Sequence, residues 1–275
     1  MSNISLTASM RSNLLSLQGT SDLMSQTQER LATGKKVNSA IDNPSAYYTA
    51  QSLSNRANDL SSLLDSMGQA ISTIKAADEG IEAITSYVEQ AKAVATSALD
   101  TTDATARGKY MGQFNSIREQ IDKLATDAGY KGINLLKGGS LTVTFNEGRD
   151  NQLIINGVNA TTGGDLAIAA GAAWNTGEVA DQNTAIGSAI TAATNAISKL
   201  RTFASDFGNN YSIVETRESF TTNLINVLEE GADKLTLADM NEESANMLAL
   251  QTRQQLAINS LSLASQAAQS VLKLF

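Results

Sequence analysis

Residues 186–228 read IGSAITAATNAISKLRTFASDFGNNYSIVETRESFTTNLINVL, and their apolar positions recur at alternating spacings of four and three. This spacing places one side chain per turn on the same face of an α-helix and predicts a long heptad seam. Only Glu218 and Thr221 in the seam are not apolar. The seam positions are Ile186, Ile190, Ala193, Ile197, Leu200, Ala204, Phe207, Tyr211, Val214, Glu218, Thr221, Ile225 and Leu228.

A matching seam lies in the first half of the chain. Asn43 is a plausible N-cap for the helix that carries it, and Pro44 stands where a first-turn proline is tolerated. Pro44 is the single proline of the chain, so long uninterrupted helices are permitted elsewhere. At about 1.5 Å per residue, residues 44–98 would extend roughly 80 Å, which predicts a rod. The seam positions are Leu60, Leu64, Met67, Ile71, Ile74, Ile81 and Val88.

The middle of the chain changes pattern. A shorter helix is predicted at about 104–128, and residues 141–145 and 152–155 alternate as strands do, with a turn at 146–151 between them. Residues 156–180 are rich in Gly, Ala and Thr and are interpreted as a surface loop. The sequence therefore predicts a mainly α fold, a long antiparallel, coiled-coil-like helical rod with a small β-hairpin patch.

The composition argues against most kinds of functional site. The chain has no cysteine and no histidine, which excludes the usual zinc sites and Ser-His or Cys-His nucleophile pairs. We predict no catalytic residue, no metal site and no cofactor. The net charge of -8 argues against a nucleic-acid partner. No apolar run is long enough for a secretory signal or a membrane span, so the default expectation is a cytoplasmic protein without membrane insertion.

The two ends of the chain carry few charges. Residues 1–28 contain only Arg11 and Asp22, and residues 244–275 contain only Arg253 and Lys273. Both ends nevertheless have helical periodicity. One register runs through Met10, Leu14, Leu17, Ser21, Met24, Gln28 and Leu31. Two registers at the other end run through Leu250, Gln254, Ala257, Leu261, Ala264, Ala268, Val271 and Phe275, and through Met240, Met247, Ile258 and Leu272.

A helix without a charged face is normally buried on all sides, and two interpretations satisfy that rule here. In the first, the two terminal helices form a helical hairpin at one end of the rod. In the second, which we favour, they pair and are buried against other copies of the chain, because the remaining sequence is too short to cover them. The candidate self-assembly contacts are Met10, Leu14, Leu17, Met24, Leu31, Met247, Leu250, Ile258, Leu261, Val271, Leu272 and Phe275.

Three separated motifs resemble those of bacterial flagellin. Residues 29–44, ERLATGKKVNSAIDNP, are similar to the family's signature after its first helix. Residues 129–136, GYKGINLL, are similar to its aromatic-Asn-Gly turn, and residues 266–275, QAAQSVLKLF, are similar to its C-terminal ending. The resemblance covers about 1–137 and 181–275, with the motifs in the family's order.

The resemblance implies a division of the chain. Residues 1–34 and 236–275 would form the terminal coiled-coil domain that lines the inner tube of a filament. Residues 44–137 and 181–235 would form the helical rod domain, and 138–180 a short hairpin and variable loop without a separate outer domain. Residues 35–43 would be a linker after Gly34, which can end a helix with positive φ. The side chains expected to shape this linker and turn are those of Asn38, Asp42, Asn43 and Pro44.

The resemblance also implies a function and its partners. The chain would be a structural subunit, not an enzyme, that polymerises with many copies of itself into the flagellar filament for swimming motility. It would be secreted through the flagellar type III export channel to the cell exterior. An export chaperone, the filament cap and the hook-junction proteins would be its partners.

The filament subunit has three alternatives, a junction protein, a signalling coiled coil and an enzyme. A hook–filament junction protein of the same family shares the architecture of the two ends. A signalling coiled coil such as a chemoreceptor domain would need a membrane anchor and a signature tip that this sequence lacks. An enzyme would need a candidate site, and the sequence offers none.

Overall fold

The computed structural model describes residues 8–272 of the chain. They divide into two compact units. Unit one contains the residues up to Arg56 and those from Val227 onward, and unit two is Ala57–Asn226. The elements are α1 (Ala8–Thr33), α2 (Pro44–Leu99), α3 (Ala104–Asp127), β1 (Ser140–Thr144), β2 (Gln152–Asn156), α4 (Val179–Thr236) and α5 (Met240–Leu272). The predicted mainly helical fold with one small hairpin is confirmed.

The core of unit two is the predicted pair of seams. Every predicted seam position of α4 between Ile186 and Thr221 is buried or half-buried, as are the predicted positions of α2 from Leu60 to Val88. The two helices run antiparallel in this unit, because the Lys75 ammonium lies 5.4 Å from the centre of the Tyr211 ring and Gly68 lies close to Glu218. The heptad spacing therefore identified the main packing surface correctly.

Helix α3 and the hairpin complete unit two. Asp103 caps the start of α3 by accepting hydrogen bonds from the backbone N–H groups of Thr105 and Ala106. The strands pair antiparallel, with Leu141 opposite Ile155 and their side chains turned into the core. Both strands begin and end within one residue of the predicted bounds.

The prediction of a surface loop at residues 156–180 is wrong in part. Leu166, Ile168 and Trp174 in this segment are fully buried, and the Trp174 ring lies 5.0 Å from that of Phe114 on α3. Hydrogen bonds from α3 hold the loop in place. Asn115, for example, both donates to the Gly171 carbonyl at 3.1 Å and accepts from the Gly171 N–H at 2.8 Å. The loop is therefore part of the core, although it has no regular periodicity.

A buried arginine joins four segments at one end of unit two. Arg107 on α3 is 1% exposed. Its Nε donates to the carbonyls of Ala98 (3.2 Å) and Thr101 (2.6 Å). Its terminal nitrogens donate to Gln182 Oε1 (2.8 Å) and Asn183 Oδ1 (2.6 Å) at the start of α4. The positive charge thus lies beside the last carbonyls of α2, where the helix dipole favours a cation.

Replacing Arg107 tests the importance of this cluster. Arg107→Ala would leave four oxygen acceptors without their donor and open a cavity, so the free energy of unfolding should fall by about 3–5 kcal/mol. Arg201→Ala, at an exposed position of α4, is the control and should change it by less than about 0.5 kcal/mol. Chemical denaturation measures both, and equal effects would contradict the assignment.

Candidate assembly interface

Helices α1 and α5 contact each other in unit one. The end of α1 meets the start of α5, so the two helices run antiparallel. Their facing side chains recur at spacings of three and four, as in a coiled coil. The buried and half-buried positions at this spacing are Met10, Asn13, Leu17, Thr20, Met24, Thr27 and Leu31 on α1, and Glu243, Met247, Leu250, Gln254, Ala257, Leu261 and Ala264 on α5. Ser21, Arg30 and Ser265 beside them are also half-buried.

Some of the predicted contact residues lie in this seam, and others lie on the exposed surface of the two helices. Met10, Leu17, Met24 and Leu31 lie in the seam, as do Met247, Leu250 and Leu261. Leu14 and Ile258 are exposed. The side chains of Val271 and Leu272, and all of Phe275, lie outside the described residues.

The seam of α1 contains two threonines that the sequence reading passed over. Thr20 and Thr27 are buried, whereas Ser21 is half-buried and Gln28 is exposed. The Thr20 hydroxyl donates to the Ser16 carbonyl at 2.8 Å, so it is satisfied within its own helix. A threonine that bonds its own backbone can occupy a seam position without a partner across the interface.

Several large apolar side chains on these helices remain exposed. Leu15 on α1 and Leu248, Leu256 and Leu263 on α5 are each more than 60% exposed. At 3.6 residues per turn the three α5 leucines lie within about 80° of arc, so they share one side of the helix. None of these four residues is among the predicted contacts, although the apolar character around most of α5 was a signal for the three leucines of that helix. The pair thus buries one apolar face and leaves another uncovered.

The linker after α1 is fixed by backbone hydrogen bonds. Gly34 follows the last residue of α1 with a φ of 71°, and its N–H donates to the Arg30 carbonyl at 2.8 Å. The Lys36 N–H donates to the Thr236 carbonyl at 2.7 Å, and the Ala238 N–H donates to the Gly34 carbonyl at 3.0 Å. The linker is therefore joined to the connection between α4 and α5.

A single carboxylate closes the turn that follows. Asp42 Oδ2 accepts from the backbone N–H groups of Ser39 (2.9 Å) and Asn38 (3.0 Å) and from the Ser39 hydroxyl (3.2 Å). The backbone hydrogen bonds from Ser39 and Asn38 hold the pKa of Asp42 below its usual range. Asn43 Oδ1 then accepts from the Ala46 N–H at 3.1 Å, which caps α2.

An ion pair joins the end of α1 to the start of α5. Arg30 Nη1 lies 2.9 Å from Glu243 Oε1, and the Glu243 side chain is only 9% exposed. Arg30 is in the last turn of α1 and Glu243 is in the first turn of α5. Each charge therefore also interacts favourably with the dipole of its own helix. The pair aligns the two helices and fixes their register at this end.

Among residues 8–272, no group of three or more acidic side chains is placed to hold a metal ion. Within the same range, none of the helices is both long enough and apolar enough to cross a bilayer.

Comparison with known proteins gives matches over nearly the whole chain. The family model of the bacterial flagellin N-terminal helical region matches residues 4–140, and that of the C-terminal helical region matches residues 190–275. Flagellin FljM of Caulobacter vibrioides is 32% identical over 95% of this chain and 94% of its own length. The flagellin of Brucella melitensis is 31% identical over 100% of this chain and 99% of its own length.

Among solved structures, the crystal structure of Bacillus cereus flagellin matches with a TM-score of 0.47 and 16% sequence identity. The match covers 57% of this chain and 88% of that one.

The ion pair can be tested with its neighbour as a control. Glu243→Gln removes the charge from a bond to arginine and should lower the free energy of unfolding by about 1–2 kcal/mol, a range reduced because Arg30 is one third exposed. Glu242→Gln removes a charge from the same helix turn at an exposed position, and should cost less than about 0.5 kcal/mol. A double-mutant cycle with Arg30→Ala isolates the coupling, and a coupling near zero would contradict the pair.

The turn at Asp42 should respond to acid. Because the pKa of Asp42 is lowered in the folded chain, its contribution is present above the pKa of a free aspartate, roughly 4, and is lost as the pH falls through the folded pKa. The amide NMR signals of Asn38 and Ser39 should therefore titrate with a midpoint below roughly 4. Asp42→Asn should abolish this titration. A midpoint at or above that of free aspartate would show that the hydrogen bonds do not lower the pKa of Asp42.

Proposed function

The chain belongs to the bacterial flagellin family, and from that premise we propose that α1 and α5 carry the surface through which its copies polymerise. The chain is a structural subunit of the bacterial flagellar filament, as its relatives named flagellin are. Nothing in the comparisons favours the hook–filament junction alternative.

The uncovered leucines of unit one are the observation that carries this proposal. Leu15, Leu248, Leu256 and Leu263 each expose well over half of their side chain. Burying what remains exposed would contribute on the order of 4–8 kcal/mol, at 1.5–3 kcal/mol for a complete side chain. Association costs about 4–15 kcal/mol, so one such contact is marginal. The surface therefore suits a polymer, where each copy has several neighbours.

The low charge of the two ends supports the same surface. Arg253 and Lys273 are the only charged residues in 244–275. Burying a helix with few charges avoids the large cost of removing charged groups from water. Residues 1–28 and 244–275 together contribute +2 to the net charge of -8, so the acidic excess lies in the rest of the chain, where it favours solubility of the monomer.

The division of the chain in the polymer follows from this surface. Residues 1–34 and 236–275 form the terminal coiled-coil domain of the inner tube, and 35–43 form its linker. Residues 44–137 and 181–235 form the helical rod domain, with the hairpin and loop of 138–180 in place of an outer domain. The self-assembly contacts include the predicted Leu14 and Ile258 and, in addition, the four exposed leucines.

The same surface needs protection before assembly. An exposed apolar face of this kind would self-associate inside the cell, so an export chaperone covers α5 until secretion. The chain then leaves through the flagellar export channel and is added to the extracellular filament beneath the cap, beyond the hook-junction proteins. A chain without cysteine passes such a channel without forming disulfides.

Polymerisation should fail when the leucine surface is made polar. The double variant Leu256→Ser with Leu263→Ser should form no filaments, because two exposed apolar contacts are lost while the seam with α1 is unchanged. Negative-stain microscopy after addition of ammonium sulfate, which strengthens apolar burial, checks this result. Ile154→Ser, at an exposed position of β2, is the control and should polymerise normally. Normal filaments from the double variant, with an unchanged melting temperature, would contradict the proposal.

A further inference from the structure

Ile41 is exposed to an unusual degree. Its side chain is 94% exposed, more than any other large apolar side chain among the described residues. It lies at the tip of the turn formed by residues 39–42, where Asp, Asn, Gly or Ser are the usual residues. A single exposed apolar side chain is common and needs no explanation by itself. The rigidity of its surroundings distinguishes this one.

The turn holds Ile41 without using its side chain. The Asp42 N–H donates to the Ser39 carbonyl at 3.2 Å, and the Ile41 N–H donates to the Ser39 hydroxyl at 3.3 Å. The Asp42 carboxylate closes the turn from the other side. Asn38 Nδ2 donates to Glu29 Oε1 at 3.1 Å, which ties the turn back to α1. The backbone is therefore ordered, and the isoleucine projects from it.

The residues around the turn are anchored on both sides. Val37, before the turn, is 7% exposed, and its N–H donates to the Thr236 carbonyl at 3.3 Å. Asn43, after the turn, caps α2. A contact residue fixed in this way loses little conformational entropy on binding, which is the advantage of a pre-organised surface.

We propose that Ile41 is a contact residue between neighbouring copies in the polymer, separate from the leucine surface of α1 and α5. Its partner is a second copy of this chain, because the residues just before the turn are joined by hydrogen bonds to α1 and to Thr236 at the end of α4, and so are continuous with the assembly surface. A projecting apolar residue that inserts into a different surface of the next copy makes a heterologous contact, the type that generates open helical polymers. This inference rests on the proposed function, since it needs the polymer to form.

The absence of cysteine allows a direct test of burial. Ile41→Cys introduces the only thiol of the chain at the tip of the turn. A maleimide should label this thiol rapidly in the monomer and at least tenfold more slowly in the filament. Depolymerising the filament before maleimide is added should restore the rapid labelling rate of the monomer. Equal rates in monomer and filament would overturn the proposal.

The contribution to assembly is measured by the critical concentration. Ile41→Ser removes the apolar side chain and should raise the critical concentration roughly tenfold or more, as expected for burial of one isoleucine. Its melting temperature as a monomer should stay unchanged, because no hydrogen bond of the turn uses the side chain. Ile154→Ser is the matched control, an exposed isoleucine on β2, and should leave the critical concentration unchanged.

The outcomes separate the two proposals. If the wild-type chain forms no filaments, the proposed function fails and this inference falls with it. If the wild type and Ile41→Ser polymerise with the same critical concentration, the contact at Ile41 is refuted and the leucine surface is not. If Ile154→Ser matches Ile41→Ser, the effect is a general loss of apolar surface, and the assignment to the turn is refuted.

Discussion

The antiparallel burial of the seam between α2 and α4 is the constraint on which the rest of the structure depends. It brings Ala57 and Asn226, the two ends of unit two, to the same side of that unit. The N-terminal and C-terminal parts of the chain can then combine into unit one, although most of the sequence lies between them. Within unit one, α1 pairs with α5, the linker bonds to Thr236, and Arg30 pairs with Glu243.

Features with a regular period were predictable from the sequence. The seam spacing identified the faces of α2 and α4 because a helix repeats its environment every 3.6 residues, and the alternation of Leu141 and Val143 identified β1 in the same way. The loop around Trp174 was misread because its burial depends on hydrogen bonds from Asn115 and other residues of α3, distant in sequence. No local pattern records such contacts.

The sequence predicted that the two terminal helices form an interface, but it did not predict which of their residues face each other. Low charge at the two ends indicated burial, but it did not tell which apolar residues face the partner helix and which remain outside. Met24 and Leu261 proved to be seam residues, and Leu14 an exposed one. An all-round apolar helix has no polar face to orient it, so its rotation is set by the partner. Ile41 had no signal at all, because one apolar residue in a turn has no period.

The distance in sequence between Arg30 and Glu243 has a consequence for the order of folding. Their hydrogen bond joins residues 213 positions apart, and bringing the ends of so long a loop together costs more entropy than any local contact. Arg107 and Gln182, in unit two, are only 75 positions apart. Once unit two has formed, the remaining segments are already close and the closure for unit one becomes short. We therefore expect unit two to fold first and unit one last. The exposed leucine surface of α1 and α5 would then form only after unit two has folded.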